Sequence, residues 1–349
     1  MSAGLLVRLD GPITYAMPVP ALGVMAALLG MICALLLGSL MAGSYPLDAG
    51  DVLATLADRA PSEMAQTVVW QFRFPRTLAA LAAGALLALS GATLQNVTRN
   101  PLADPSLVGV SQGAGLAVVA AMVAWPELPQ AMRPVLAFCG ALAVAALIQG
   151  IAIRRSGGAT MRFILTGIGV AAFISALTST LLTYGQIDRA LSALGWLAGS
   201  VHTAGWSEVA VLGSAFLCLV PALVAASRPM AAMRMGPEMA VGLGLRVDRT
   251  RMALVTLSVA LAAAAVAMVG PIGFVGLVAP HLAHRLARSG VGLHLALSAA
   301  AGALLVGAAD LAGRLAFAPV QIPAGLVTAL IGVPLFVWLL LRTQARASL

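Results

Sequence analysis

The sequence predicts an all-α integral membrane protein of about ten transmembrane helices, with both termini in the cytoplasm. Three observations predict it. Of its 349 residues, 61% are hydrophobic and only 9% are charged, where a soluble domain carries about 25% charged residues. The apolar residues run in blocks of helical length rather than in period-2 alternation, which sets the chain apart from an outer-membrane barrel. The 20 basic residues are all arginine and lie in short connections between the blocks. That distribution orients membrane helices, so the net charge of +8 is not a nucleic-acid footprint.

A span needs ~20 apolar residues. Blocks of this kind occupy 18–42, 75–97, 106–124, 132–153, 161–184, 207–226, 250–270, 272–286, 292–312 and 323–341. The first is too long for a signal-peptide core and no cleavage site follows it, so it reads as an uncleaved span. The blocks at 106–124 and 272–286 are short, as broken helices in transporter cores are.

With the N-terminus inside, the inner connections hold Arg8, Arg99, Arg154, Arg155, Arg162, Arg228, Arg234, Arg246, Arg249, Arg251, Arg285, Arg288, Arg342 and Arg346. The outer ones hold Arg59, Arg73, Arg76, Arg133, Arg189 and Arg314, and this excess inside sets both termini in the cytoplasm. Asp48, Asp51, Asp58, Glu63, Glu127, Asp188 and Glu208 then fall outside. Cys33, Cys139 and Cys218 lie in apolar blocks without metal spacing and read as small buried residues.

Three connections are long enough to carry structure. Residues 43–72 form an outer segment in which "PLDAGDVLATLAD" reads as a short amphipathic helix. Residues 185–206 form a second outer segment, with tryptophans suited to an interface. Residues 227–249 form the longest inner loop.

Two catalytic patterns are missing. With no lysine there is no phosphate-binding loop of the GxxxxGK type, and HExxH does not occur. His281 and His284, three apart in "PHLAH", have no accompanying carboxylate or cysteine and read as structural rather than metal-binding. Ion-coupled transport needs ionisable groups within the membrane. Asp310 alone lies in a span, and with Arg314 one turn along it reads as a paired structural group. An ion-coupled secondary transporter is therefore the alternative of a different class, and energy is expected from a partner.

Two polar segments interrupt the apolar blocks. In "NPLADP", Pro101 and Pro105 stop a helix, and Asn100 and Asp104 can satisfy the freed backbone groups. Ser111, Gly113 and Gly115 then let the next helix approach a neighbour closely. In "GPEMAVGLGL", Pro237 fits a first helical turn, Glu238 suits the positive end of a helix, and glycine stops it. That short helix is read either as an ordinary loop helix or as a docking element for a cytoplasmic protein.

The stretches "RFPRTLAALAAGALLALSGATLQNVTRNPLADPSLVGVSQGAG" (73–115), "GPEMAVGLGLRV" (236–247), "GPIGFVGLVAPHLAHRL" (270–286) and "IPAGLVTALIGVPLFVWLLL" (322–341) resemble the permeases of iron–siderophore, haem and vitamin B12 import, the type II ABC importers. They are spread over most of the chain in that family's order and spacing. The resemblance implies ten helices in one permease domain over 1–349, with a coupling loop at about 227–249. It implies alternating access in a bacterial inner membrane, with two permeases, identical or related, sharing one pathway. Two cytoplasmic ATPases would hold the ATP and Mg, a periplasmic binding protein would deliver the solute, and this chain would bind no cofactor.

The resemblance also implies roles for residues. Pro237, Glu238, Ala240, Gly242 and Gly244 match the element that docks on the ATPase. Asn100, Pro101, Leu102, Asp104 and Pro105 match a cytoplasmic gate, against the plainer reading of an interhelical turn. Arg73, Arg76 and Arg314 match arginines that face carboxylates of the binding protein; the alternatives are interfacial anchoring and pairing with Asp310. Gln95, Ser111 and Gly113 are pathway-lining candidates, in a wall poor in polar groups. The family commonly has Glu where Gln321 stands, which puts a charge-dependent role there in doubt. "GWLAGSVHTAGW" resembles the ferric-siderophore branch more than the haem or cobalamin branches.

Overall fold

The structure is a computed structural model that describes residues 6–9, 15–153 and 159–347. Arg154 and Arg155, which the charge pattern counted inside, lie outside the described residues.

The chain opens with an antiparallel pair, β1 (Leu6–Leu9) and β2 (Tyr15–Pro18), which the sequence had not signalled. All else regular is helical. α1 (Val19–Met41) is followed by the short α2 (Ala49–Leu56) and α3 (Glu63–Thr67), then by a π-helical turn (Val68–Arg73) that runs into α4 (Phe74–Thr98). A 3-10 turn (Pro105–Val108) leads into α5 (Val110–Ala124), and another (Gln130–Met132) into α6 (Arg133–Ile153). Next come α7 (Ala159–Tyr184), α8 (Ile187–Leu197), α9 (Trp206–Ala225), α10 (Ser227–Arg234) and α11 (Pro237–Gly242). The chain then forms α12 (Val247–Val269), α13 (Val275–Leu286), α14 (Val291–Leu315) and α15 (Ala324–Ala347).

Every expected span coincides with a helix. Among the described residues, 7 helices are long and apolar enough to cross a membrane. At 12 residues, α13 is about 18 Å long at 1.5 Å per residue, too short to cross alone. The helix expected from residue 75 starts earlier, because the Ser62 side chain caps α3 and the π turn carries that helix on into α4. The expected amphipathic helix is α2, capped by Asp48.

α4 is the axis of the bundle. It packs against α9, α12, α13 and α14, while α5, α6 and α7 form a neighbouring group joined through α12. The spanning window of α4 is 83% buried, whereas those of α1, α7 and α9 are each 11% buried and face outward. Glycine makes the axis possible. A methyl on Gly84 would overlap the Gly302 carbonyl of α14, and one on Gly91 would overlap the Gly276 carbonyl of α13. Leu86 and Leu94 of α4, Val118 of α5, Leu212 of α9, Leu261 of α12 and Val306 of α14 share the largest apolar cluster.

Two expectations are corrected. Cys33, Cys139 and Cys218 are exposed rather than buried, on α1, α6 and α9. Against lipid an outward face is as apolar as a core, so sequence cannot separate the two. The segment 227–249 is not a loop, because α10 and α11 fill much of it and α10 buries Met230 and Met233 in the main cluster.

Candidate functional site

The polar chemistry lies at the two ends of α4. At its N-terminal end, Arg73, Arg76 and Arg314 are all buried, at 6%, 7% and 8% exposure. Arg76 grips Asp310 of α14 through Nε (3.0 and 3.1 Å to the two carboxylate oxygens) and through Nη2 (2.7 Å). Its Nη1 donates to Gln321 Oε1 at 2.7 Å and lies 3.0 Å from His202 Nδ1. Arg73 donates to the carbonyls of Leu40, Met41 and Tyr45, which end α1 and lead out of it. Arg314 Nη2 donates to the carbonyl and hydroxyl of Ser39.

The sequence placed Asp310 beside Arg314, but the ion pair it forms is with Arg76, which binds it bidentately. Gln321 is an acceptor in the same knot. The three guanidiniums bind groups of the chain itself, in keeping with the reading that paired Asp310 with an arginine. The docking reading of Arg73, Arg76 and Arg314 asks for guanidiniums at an exposed interface, and in this chain they are 6–8% exposed.

Beside this knot, Trp70 stacks on Trp206 at 6.1 Å and Phe74 meets both edge-on. Further round the same end, a cavity of about 200 Å3 is lined by Trp125, Arg133, Asp188 and Arg189 among others.

At the other end, Arg99 closes α4 in the left-handed conformation (φ 52°). Asn100 Oδ1 then accepts from the Leu102 amide at 2.9 Å, and Asp104 Oδ1 from the Ser106 amide at 2.8 Å. The two side chains thus do the capping that their spacing implied. Burial pushes the Asp104 carboxyl above its ordinary range, against its hydrogen bonds from Ser106, which pull it down. Asp104 and Pro105 lie against Gly276 of α13, and Gln95 Nε2 donates to the Gly276 carbonyl at 3.2 Å. Ser111 lines a small void with Asp104 and Ser106, whereas Gly113 is buried against Gly140 of α6.

α11 follows α10 at this end. Pro237 is its first residue, Glu238 lies in its first turn, and Gly236 precedes it at φ 111°. It closes with paired bonds from Leu245 N to the Ala240 carbonyl (3.0 Å) and from Gly244 N to the Val241 carbonyl (2.8 Å), the Schellman arrangement. Gly244 supplies the left-handed residue at φ 83°. Ala240 is fully buried and faces the protein. The outward face consists of Met235, Met239, Val241 and Leu243, each 58–67% exposed.

The FecCD transport family matches residues 30–342. The chain belongs to that family. The Fe(3+) dicitrate transport system permease protein FecD of Escherichia coli is 37% identical over 79% of this chain and 86% of its own. The cobalamin import system permease protein BtuC of Halobacterium salinarum is 37% identical over 84% of this chain and 80% of its own. Among solved structures, one described as a metal-chelate type ABC transporter in an inward-facing conformation superposes with a TM-score of 0.81 at 28% identity. It covers 92% of this chain and 99% of that one. The FecCD chain is thus a multi-pass permease of the ABC type, which works with ATPase and permease partners.

Sequence reasoning about this FecCD permease missed the partners its residues choose. Asp310 lies 234 positions from Arg76. His294, 5% exposed and edge-on to His284 at 6.0 Å, carried no signal in a helical apolar block. The outward methionines around Glu238 did carry one, since exposed apolar residues on a short helix outside a span call for a cover.

Proposed function

We propose that this permease, acting as one unit over 1–349, forms the membrane path of an ATP-driven importer. Its cargo is a ferric chelate of the siderophore class, moved from periplasm to cytoplasm across a bacterial inner membrane by alternating access. The observation that carries the cargo is the iron-chelate name of a relative aligned over 79% of the chain. A cobalamin relative of equal identity supports the second reading, in which the cargo is a corrinoid.

The arginine excess supports a cytoplasmic side for Asn100 and Glu238 and a periplasmic side for Arg76. A second permease, identical or related, completes the pathway. Two cytoplasmic ATPases bind Mg and hydrolyse ATP, and this chain binds no cofactor. The outward face of α11, with Met239, Val241 and Glu238, is apolar with one carboxylate and suits a groove on the ATPase. The Asn100–Pro105 turn works as the inner gate. A periplasmic binding protein docks at the Arg76 end on exposed residues, while Arg73, Arg76 and Arg314 shape the surface from beneath.

The test is uptake in cells lacking the gene, given iron-55 siderophores, haem or labelled cobalamin, and complemented with the wild type or Glu238→Arg. Loss of siderophore-iron uptake alone, restored by the wild type and not by Glu238→Arg, is the expected result. Loss of haem or cobalamin uptake instead reassigns the cargo. No loss for any of the three overturns the import reading.

A further inference from the structure

The segment that carries α11 is joined to α4 by a part-buried polar bridge. Arg234, the last residue of α10, donates from Nε to Asn96 Oδ1. Asn96 is 4% exposed, and its amide nitrogen donates to the Ala92 carbonyl one turn back at 2.6 Å, so its oxygen is held in a fixed direction. The bridge joins residues 138 positions apart. Both of its ends lie beside a switch in backbone direction. Gly236 (φ 111°) turns the chain from α10 into α11, and Arg99 (φ 52°) turns it from α4 into the Asn100–Pro105 segment. Neighbouring Gln95 binds the Gly276 carbonyl, the glycine against which Asp104 and Pro105 rest.

The rest of α10's hold on the core is apolar, through Met230 and Met233. Methionine contacts adapt and slide. A charge-assisted hydrogen bond fixes direction and register. A cation at the end of a helix is favoured by the helix dipole alone, yet the Arg234 guanidinium reaches across to α4 rather than back to its own carbonyls.

We propose that Arg234 is a positioning residue for transport: through Asn96 it passes displacement of the α11 segment to the end of α4 that carries the Asn100–Pro105 turn. This rests on the proposed function, in which an ATPase docks on α11. Without the bridge α10 stays packed but slips along α4, so ATP is hydrolysed without import.

The experiment uses the assembled importer, with its ATPases and binding protein, in proteoliposomes. It reads ATP hydrolysis, iron-55 chelate import and thermal melting together. Arg234→Met is expected to keep hydrolysis and melting and to raise ATP consumed per iron imported about tenfold, the scale of one charge-assisted hydrogen bond. Asn96→Leu removes the acceptor from the other side and gives the same uncoupling without depending on the first variant. Asn96→Asp keeps an acceptor and retains coupling near the wild-type ratio. An unchanged ratio in Arg234→Met and Asn96→Leu overturns the inference, as does a loss of hydrolysis and import in step with melting. A wild-type importer that shows no ATP-driven import overturns the functional reading itself, and the inference with it.

Discussion

The two ends of α4 are built on different principles. At the Arg76 end, guanidiniums and a carboxylate are buried together, and the ion pair is bidentate. At the Asn96 end, the contacts are mainly side-chain amides and backbone carbonyls, with Arg234 bonded to Asn96. Breaking a buried ion pair strands a charge at a cost of about 3–5 kcal/mol, whereas an ordinary hydrogen bond contributes about 0.5–1.5 kcal/mol net. The first end is therefore suited to holding an assembly fixed. The second can exchange partners cheaply. The ends differ in what lies beyond them as well. The Asn96 end leads to α11, whose outward face is apolar and exposed, and the Arg76 end leads to the Trp70, Phe74 and Trp206 rings packed on one another.

The sharpest way to break this contrast is Arg76→Met. It strands Asp310 and is expected to cost about 3–5 kcal/mol, seen as lost folded yield and a lowered melting temperature in detergent. Arg76→Met combined with Asp310→Leu removes both charges and recovers most of the loss. A single variant that melts like the wild type removes the knot from the account. Next in size is Gly91→Ala, whose methyl meets the Gly276 carbonyl, at about 1–3 kcal/mol by the same measurement. Gly242→Ala, on α11 with open space around it, costs nothing measurable.

A smaller free energy with a large functional effect is expected from Met239→Asp. A carboxylate on the uncovered face of α11 leaves melting unchanged and lowers ATP-driven uptake about tenfold, the scale of one interface anchor. The smallest effect sharpens the Asn100–Pro105 end. Burial raises the Asp104 carboxyl pKa in the folded protein, so the folded state takes up a proton more readily than the unfolded one. Wild-type stability then rises as pH falls through that folded pKa. Asp104→Asn keeps the acceptor for Ser106 and lacks the titration. It is expected to be more stable than wild type by less than about 1 kcal/mol near neutral pH. That gap closes as melting is measured at progressively lower pH, and a gap that widens contradicts the burial of Asp104.

Much of this was legible in the sequence. Hydropathy and length located the helices because a bilayer demands both. Local chemistry was also readable: Asn100 and Asp104 bond to amides two residues on, and Pro237 and Gly244 bracket α11. Pairing across the fold was not. Asp310 could be judged only against its near neighbour Arg314, while its partner came from another helix. Nor could the sequence tell core from lipid-facing surface, since both are apolar; Cys218 and Leu212 sit in the same block and end on opposite faces. The departure at Gln321 was visible, but that it accepts from Arg76 was not.

The central claim is that the Asn96 end carries energy coupling and the Arg76 end carries the fold. Its most direct test is the ratio of ATP hydrolysed to iron-55 imported by the reconstituted importer, compared between Met239→Asp at one end and Gln321→Leu at the other. The account predicts a ratio raised about tenfold in the first, the scale of one lost interface anchor, and a wild-type ratio in the second, even where the second imports more slowly. Equal ratios in the two variants, or uncoupling by Gln321→Leu alone, would contradict it.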